Sequence, residues 1–524
     1  MLIDKDLRLS ISGCFWLFYA SKYIVVLLGL SSCGDVLDIY PVENNTTDQF
    51  YSNEYEIQQA VMGVYARLGR NKTNTDFPTD FYYQASESRS DNLYYATLAT
   101  AQRDQVDLRN FQVTDVTGLN QTIYARLYQL INDANMLLSK ASEEYSRYRA
   151  EAKFLRALAY FELVRAYGPQ PVFDRPITNN EARQMERQPI EDAYKLIISD
   201  LEYAAANLEP FYDEEELGRV GAVAAKCLLG QVYVTMAGHP LLDNQGYVNA
   251  EKILKEIMPE AKKRFAPDYS YIFDVNKENT YDLFSIQFAS GNQGLGSSLA
   301  AYITTSGSTG TCFPEWAYQG YNQQGQDFRV DTLLVQEMKN ARDKRLETSV
   351  ADGFWNTIDH GYTTEDSIEH YVVRSIMVKF LTKDNTNNTI KAWNDYPLNY
   401  PLLRPADAYL LYAEALINNG KANEAAEWIN AIRRRAGLPE LDHIPTMDDI
   451  MYERRCEFLG EGKRYFDLVR SGKEIFLNTL KTFSDHYGHV ANMGASVPSE
   501  KDMLLPIPLT VMNVHTSWKN NLGY

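Results

Sequence analysis

A mainly α-helical chain is predicted, in which paired helices stack into a right-handed scaffold and a loop-rich irregular region carries the ligand site. Three observations predict it. Apolar residues recur at helical spacing in both end regions, two Ala-rich segment pairs place small residues where helices would touch, and the middle turns to Gly, Ser and Thr runs interleaved with aromatics. At 524 residues a single core would be unusually large, so two packed lobes or one extended scaffold with insertions is expected.

Residues 11–32 are apolar apart from Lys22, and the densest part, Tyr23 to Leu30, has the length of a signal-peptide core. It is too short to span a bilayer. Leu30-Ser31-Ser32-Cys33 follows it, which resembles a bacterial lipobox, so residues 1–32 are expected to be removed and Cys33 to be acylated. Each buried methylene of an acyl chain contributes about 0.8 kcal/mol, and several chains make a stable anchor. The alternative, one membrane span over residues 11–32, would bury Lys22 at its centre. Cys227, Cys312 and Cys456 stand singly, without the spacing of a metal site, and read as small buried hydrophobes. Neither a metal nor another cofactor is expected.

The first helix is read from Ile57, Ala60, Val61, Val64 and Leu68, and the next from Ile123, Leu127, Leu130, Ile131, Ala134, Leu137 and Leu138. A third runs through Ala150 to Phe161 and stops at Tyr167-Gly168-Pro169. The pair Ile190 to Leu208 and Gly221 to Met236 contains Leu229-Gly230-Gln231-Val232-Tyr233, which resembles the first-helix signature of a tetratricopeptide repeat. The same logic returns in Ala408 to Leu416, Asn418-Asn419-Gly420 and Ala422 to Arg433, where Ala413 and Ala425 stand twelve residues apart. Arrays of such hairpins present surfaces to partners. Between them, residues 269–399 hold the runs Ser290 to Ser298 and Thr304 to Gly310, with Trp316, Tyr318, Tyr321, Trp355 and Trp393, and read as long functional loops.

The net charge is −18 and no Lys/Arg run stands out, so nothing is available to build a phosphate-tracking groove, and nucleic acid is excluded as the main partner. Tyr (37 residues) outnumbers Phe (22), which suits a binding surface of flat rings with hydroxyl edges.

The segment Met451-Tyr452-Glu453-Arg454-Arg455-Cys456-Glu457-Phe458-Leu459-Gly460-Glu461-Gly462-Lys463-Arg464-Tyr465-Phe466-Asp467-Leu468-Val469-Arg470-Ser471-Gly472 resembles the signature of the SusD/RagB family. Further matches follow in family order: Cys33 to Asp38 with Pro41, Ala60 to Tyr65, Glu87-Ser88-Arg89-Ser90-Asp91-Asn92, Arg156 to Phe161, Arg404 to Ala415, Leu504 to Pro508 and Asn520 to Tyr524. The resemblance covers the whole chain. It implies a SusD-like fold divided into residues 33–268 (helical, tetratricopeptide-like), 269–399 (loop-rich, ligand-binding) and 400–524 (hairpin and signature). It also implies an outer-membrane lipoprotein that captures a nutrient, usually a glycan and in some members a peptide, and delivers it to a SusC-like TonB-dependent transporter. Family members are not enzymes.

The charged cluster Glu453, Arg454, Arg455, Glu457, Glu461, Arg464, Asp467 and Arg470 has the ingredients of an acid/base site, but helical spacing favours a fixed ion-pair network, with Glu453, Glu457 and Arg464 near one another. For a glycan, flat aromatic faces and a few polar groups are required. The resemblance directs attention to the segment after the Ser-Asp-Asn motif and to the central loops. There Trp316, Tyr94 and Tyr95 are the first candidates, followed by Tyr82, Tyr83, Tyr318, Tyr321 and Trp355, with Asn92, Asp91 and Arg89 as polar partners. The alternative for each is a ring packed beneath a loop. A peptide-binding cap is the second reading, and loop Trp and Tyr lean toward sugar because rings suit pyranose faces. A helical-repeat glycoside hydrolase would need two loop-borne carboxylates across a cleft, and none stands out; a pure repeat adaptor would lack the long inserts. The segment Gly34 to Asp38 is only sparsely acidic, so exposure at the cell surface is implied by the resemblance alone, and a periplasm-facing orientation is the alternative.

Overall fold

A computed structural model describes residues 51–70, 75–95, 103–213, 216–303, 328–356, 370–381, 390–487 and 497–524. Residues Asn53–Tyr524 cluster as a single compact unit. Its main elements are α1 (Glu54–Tyr65), β1 (Leu93–Tyr95), α2 (Arg103–Arg109), α3 (Gly118–Lys140), α4 (Ser146–Tyr167), α5 (Ile190–Asn207), α6 (Ala222–Ala237), α7 (Gly246–Lys263), β2 (Phe284–Ile286), β3 (Phe328–Val330), α8 (Thr332–Ala341), β4 (Val350–Asn356), β5 (His370–Met377), β6 (Tyr400–Leu403), α9 (Pro405–Asn418), α10 (Ala422–Arg435), α11 (Met447–Glu457), α12 (Arg464–Arg470) and α13 (Lys473–Tyr487), with short α, 3-10 and π segments besides.

The helices form a succession in which each packs on its predecessor: α3 on α4, α4 on α5, α5 on α6, α6 on α7, α7 on α9 and α9 on α10. The core is what the periodicity marked. Ile123, Leu127, Leu158, Ile197, Val232, Leu410 and Ile429 are all fully buried, as is Leu254 of α7, a helix the sequence reading did not mark, and burying an aliphatic side chain of this size contributes roughly 1.5–3 kcal/mol. Close approach is set by Gly230, where a Cβ would lie 2.5 Å from the Leu254 side chain, so α6 and α7 can meet only with glycine there. Across α4 and α5 the Arg156 guanidinium grips Asp200 with both edges, Nε to Oδ2 at 2.7 Å and Nη2 to Oδ1 at 2.9 Å. Ala413 and Ala425, the two small positions twelve apart, are both sealed in the α9/α10 hairpin.

One link in the succession is not sequential: α9 docks on α7 although the loop-rich region separates them. That region leaves and returns through one antiparallel ladder, β2 with β6, where Ile286 faces Tyr400 and the Leu283 amide donates to the Leu403 carbonyl at 2.8 Å. The insertion therefore hangs from a closed neck, and the helical array is not interrupted. The middle is also more regular than expected: α8, β3, β4 and β5 lie in it, and the Ser290 to Ser298 run is pinned by carboxylates. Asp76 accepts from the Ser298 amide (2.6 Å) and hydroxyl (2.8 Å), and Asp395 from the amides of Gly291 and Asn292 at 3.0 and 2.9 Å. The three residues of β3 leave no periodicity long enough to read, whereas β4 and β5, of seven and eight residues, went unread beside the Gly-, Ser- and Thr-rich runs.

At the neck, Glu278 accepts from the Asn399 amide at 2.6 Å, and Asn399 in turn accepts from the Phe288 amide at 2.7 Å. Burial, reinforced by the charges of Asp282 and Asp274, raises the Glu278 carboxyl from 4.5 to about 7. A raised carboxyl favours the folded state below its unfolded pKa and loses that contribution as pH climbs through the folded one. Glu278→Gln keeps an acceptor for Asn399 and has no charge. Its melting temperature should therefore rise relative to that of the parent chain as pH increases from about 4.5 to about 7, then hold a constant offset; parallel melts across that window check it.

Candidate functional site

Thr446 starts α11 with a capping box: its hydroxyl accepts from the Asp449 amide and Asp449 Oδ2 accepts from the Thr446 amide at 2.8 Å. The helix then delivers Glu453 and Glu457 inward, and the turn after it delivers Glu461. All three are sealed and paired. Glu457 accepts from Arg404 Nη1 (2.7 Å) and Arg435 Nη2 (2.5 Å), and Glu461 from Arg404 Nε (2.9 Å) and Nη2 (2.8 Å) and Lys379 Nζ (2.9 Å). Glu453 receives Arg345 Nη1 at 2.9 Å and Arg433 Nη1 at 2.6 Å. Burial alone would raise the Glu457 carboxyl, but the charges of Arg435, Arg404 and Arg345 outweigh it and hold it well below the usual carboxylate range. This is the fixed network anticipated from the sequence, with one correction: Arg464 joins Asp91 instead of Glu453 or Glu457.

From the network the construction runs to the Ser-Asp-Asn motif. Glu87 accepts from the Gly460 amide at 2.8 Å, the Gly462 amide at 2.9 Å and Asn92 Nδ2 at 2.8 Å. Gly462 lies at φ +66 with the Tyr82 carbonyl 2.4 Å from where a Cβ would stand, so no other residue fits this turn. Asp91 is clamped bidentately by Arg464 Nε and Nη2 at 2.8 and 2.9 Å. Arg455 reaches Asn92 Oδ1 (3.0 Å), the Asp91 carbonyl (2.5 Å) and Asp331 Oδ2 (2.9 Å). The Asp331 amide donates to the Asn92 carbonyl at 2.8 Å. These bonds bring β1 beside β3, antiparallel, with Leu93 facing Val330 and Tyr95 facing Phe328.

That register has a functional consequence. The chain leaves β1 at Tyr95 toward residue 96 and enters β3 at Phe328 from residue 327, so the segment after the Ser-Asp-Asn motif and the segment holding Trp316, Tyr318 and Tyr321 attach at the same end of one ladder. Beneath it lies an aromatic cluster: Tyr94 stacks on Tyr487 with centroids 4.1 Å apart, and Tyr487 meets Phe483 at 4.9 Å. The Tyr487 hydroxyl donates to Asp331 Oδ1 at 2.6 Å, tying α13 to the ladder.

Several predicted ligand residues are thereby reassigned. Tyr82 donates its hydroxyl to Glu162 at 2.7 Å and stacks on Tyr400, Tyr83 is buried, and Arg89 donates to the Asp502 carbonyl at 2.9 Å beneath the Tyr465 ring. Asp91 and Asn92 are spent on Arg464, Arg455 and Glu87. Asp91 and Asn92 hold the start of the ladder, Tyr82, Tyr83 and Arg89 are buried in the body, and Tyr94, 7% exposed, is a ring packed beneath the ladder. Tyr95 and Trp355 lie on strands, Tyr95 opposite Phe328 and Trp355 opposite Tyr371, and their backbones alone are described. Trp316, Tyr318, Tyr321, Cys33 and Cys312 lie outside the described residues. Cys227 and Cys456 are buried thiols. Tyr487, Phe483 and Arg109, which joins them over the Phe483 ring, were not anticipated, since nothing in their local sequence marks them.

Elsewhere, an apolar cavity of about 650 Å³ opens among α4, α5, α6, α12 and the C-terminal segment, lined by Val164, Ile190, Tyr194, Phe466 and Leu504; it shares no residue with the ladder cluster. Among the described residues no group of three or more His, Cys, Asp or Glu is placed to hold a metal ion, and no helix is long and apolar enough to cross a membrane.

Two family models match the chain. One described as the SusD family covers residues 250–524, and one described as starch-binding, associating with outer membrane, covers residues 35–234. The chain belongs to the SusD family. It is 26% identical over 496 residues to SusD-like protein P25 of Formosa agariphila, covering 86% of this chain and 89% of the relative. It is 25% identical to the starch-binding protein SusD of Bacteroides thetaiotaomicron, covering 97% and 98%. The fold matches surface glycan-binding protein A of B. thetaiotaomicron in complex with laminarihexaose, with a TM-score of 0.72 at 20% identity, over 89% of this chain and 99% of that one. In this SusD-family chain the signature segment is thus a buried brace for the ladder.

Removing the central guanidinium should expose how much the brace carries. Arg404→Met leaves Glu457 and Glu461 short of three charge-assisted bonds, and a loss of roughly 3–5 kcal/mol is expected in denaturant unfolding.

Proposed function

We propose that this chain is a cell-surface nutrient-binding lipoprotein, anchored in the outer membrane through acylated Cys33, that captures an oligo- or polysaccharide and hands it to a SusC-like TonB-dependent transporter. It acts by binding and release, without catalysis. The observation that carries the reading is the register of β1 with β3, which attaches both candidate aromatic segments to one rigid ladder end. Support comes also from relatives: one is named a starch-binding protein, and one of similar fold holds laminarihexaose.

The physics of capture follows from this placement. Rings from Tyr95, Trp316, Tyr318, Tyr321 and Trp355 cover the apolar faces of pyranoses, each contact contributing modestly, while the braced ladder keeps the stems of the segments bearing the first four from moving apart. Several weak contacts sum to useful affinity, and none is strong enough to prevent transfer onward.

Titration of the mature chain, beginning after Cys33, with starch, laminarin, other polysaccharides and peptide digests tests the reading. A saturable change in tryptophan fluorescence with one glycan is expected, weakened on the order of ten-fold or more in Trp316→Ala and Tyr95→Ala with circular dichroism unchanged. Saturation by peptides alone would overturn the glycan assignment and leave a peptide-binding cap. In cells, Cys33→Ser is expected to move the protein from the outer-membrane fraction to the soluble one.

A further inference from the structure

A second aromatic surface lies away from the ladder. Between α3, the segment that follows α4 and the C-terminal segment runs an open groove of about 360 Å³, which shares no residue with the ladder cluster or with the apolar cavity. Its volume is that of a small-ligand site. Four of the fourteen residues along it are Tyr, Phe or Trp, more than twice the 12% of the whole chain. Three of these rings have their polar ends spent inward: the Tyr124 hydroxyl donates to Gln170 Oε1 at 2.7 Å, the Tyr128 hydroxyl to the Pro171 carbonyl at 3.1 Å and Trp518 Nε1 to the Met185 carbonyl at 3.1 Å. The wall carrying Phe173 is equally fixed, since the Tyr160 hydroxyl donates to the Phe173 carbonyl and accepts from its amide, both at 2.9 Å. Tyr128 and Phe173, both half-buried, lie within 9° of parallel with centroids 6.0 Å apart, an offset in which neither ring covers the other. The rings are thus locked in place before any ligand arrives, so little ordering entropy opposes binding.

The polar side of the groove is uncharged. Among the described residues no carboxylate, ammonium or guanidinium lines it, although 23% of the chain is Asp, Glu, Lys or Arg. His515 stacks on Trp518 with centroids 4.0 Å apart, and burial lowers its pKa from 6.5, so it too is neutral at neutral pH. What remains for directional recognition is the pair of exposed amides at Asn132 and Asn179, each able to donate and to accept. Fixed ring faces beside neutral amides match a pyranose, which has an apolar C–H face and a rim of hydroxyls. An apolar protein segment would meet Met136, Ile177 and Met185 here, but the groove has none of the charges with which an interface orients a protein partner. We infer that this groove is a second saccharide subsite, taking a neutral oligosaccharide independently of the aromatic segments mounted on the ladder. The inference rests on the reading of the chain as a saccharide binder and adds a place to it. Two weak sites on one chain let a polysaccharide rebind before it escapes, without slowing its release from either.

Calorimetric titration with neutral oligosaccharides, among them malto-, laminari-, xylo- and manno-oligosaccharides, separates the two surfaces when the mature chain is compared with a variant carrying Trp316→Ala and Tyr95→Ala together. Saturable binding is expected to persist in that variant, and adding Tyr128→Ala should weaken it on the order of ten-fold or more with circular dichroism unchanged. Asn132→Ala with Asn179→Ala, both at exposed positions, should weaken it on the order of several-fold and carries the test if Tyr128→Ala disturbs folding. Binding by the parent chain that vanishes with Trp316→Ala and Tyr95→Ala overturns the inference and leaves the glycan reading standing. So does persisting binding that neither Tyr128→Ala nor the paired Asn variant moves. Tyr128-dependent binding of a peptide digest in place of saccharides overturns the ligand class, and binding of no saccharide by the parent chain overturns both readings together.

Discussion

The structure depends on a salt bridge that is expensive to bury: Arg404 against Glu457 and Glu461, all sealed from solvent. Each ion loses hydration worth several kcal/mol, so the arrangement is tolerable only when each charge meets opposite charge in good geometry. That requirement is strict about position. Arg404 precedes α9, Arg435 ends α10, Arg345 and Lys379 come from the insertion, and the two glutamates lie four residues apart at the end of α11. A shift of any one segment would leave a charge unpaired, so the cluster selects a single arrangement of helical array and insertion. Its contribution is to register more than to net stability, since apolar packing of equal volume could stabilise as well without specifying where each segment sits.

Register at that node passes outward through short, directional bonds. The turn after α11 presents the Gly460 and Gly462 amides to Glu87, Arg464 and Arg455 fix Asp91 and Asn92, and Arg455 also holds Asp331. Only then do β1 and β3 meet. A ladder of three residue pairs would be marginal alone in water, and here its flanking residues are bonded to a rigid core on one side and to Tyr487 on the other. The segments that leave this ladder are thus mounted on a stem whose geometry is decided far away.

How much of this could be read beforehand differs by element. The helices were legible because burial imposes a 3.6-residue period over ten or more positions, and the observed α1, α4, α5, α6, α9 and α10 fall where Ile57, Phe154, Ile197, Val232, Leu410 and Ile429 indicated. The ionic character of the signature segment was legible from its composition. The roles of Tyr82, Tyr83, Arg89, Asp91 and Asn92 were not, because their nearness to a candidate loop along the chain says nothing of depth. The groups that consume Arg89, Asp91 and Asn92 lie more than 360 positions away, at Asp502, Arg464 and Arg455. The three-residue strands β1, β2 and β3 escaped for the opposite reason, having too few residues to establish a period of two.

Arg109 carries the same lesson to its limit. In the sequence it is one arginine among many, and only its surroundings distinguish it. A fold that supplies carboxylates to six of its buried arginines, down to bidentate geometry at Asp200 and Asp343, demonstrates that pairing was available to it. Leaving one guanidinium with sealed, unpartnered nitrogens costs stability.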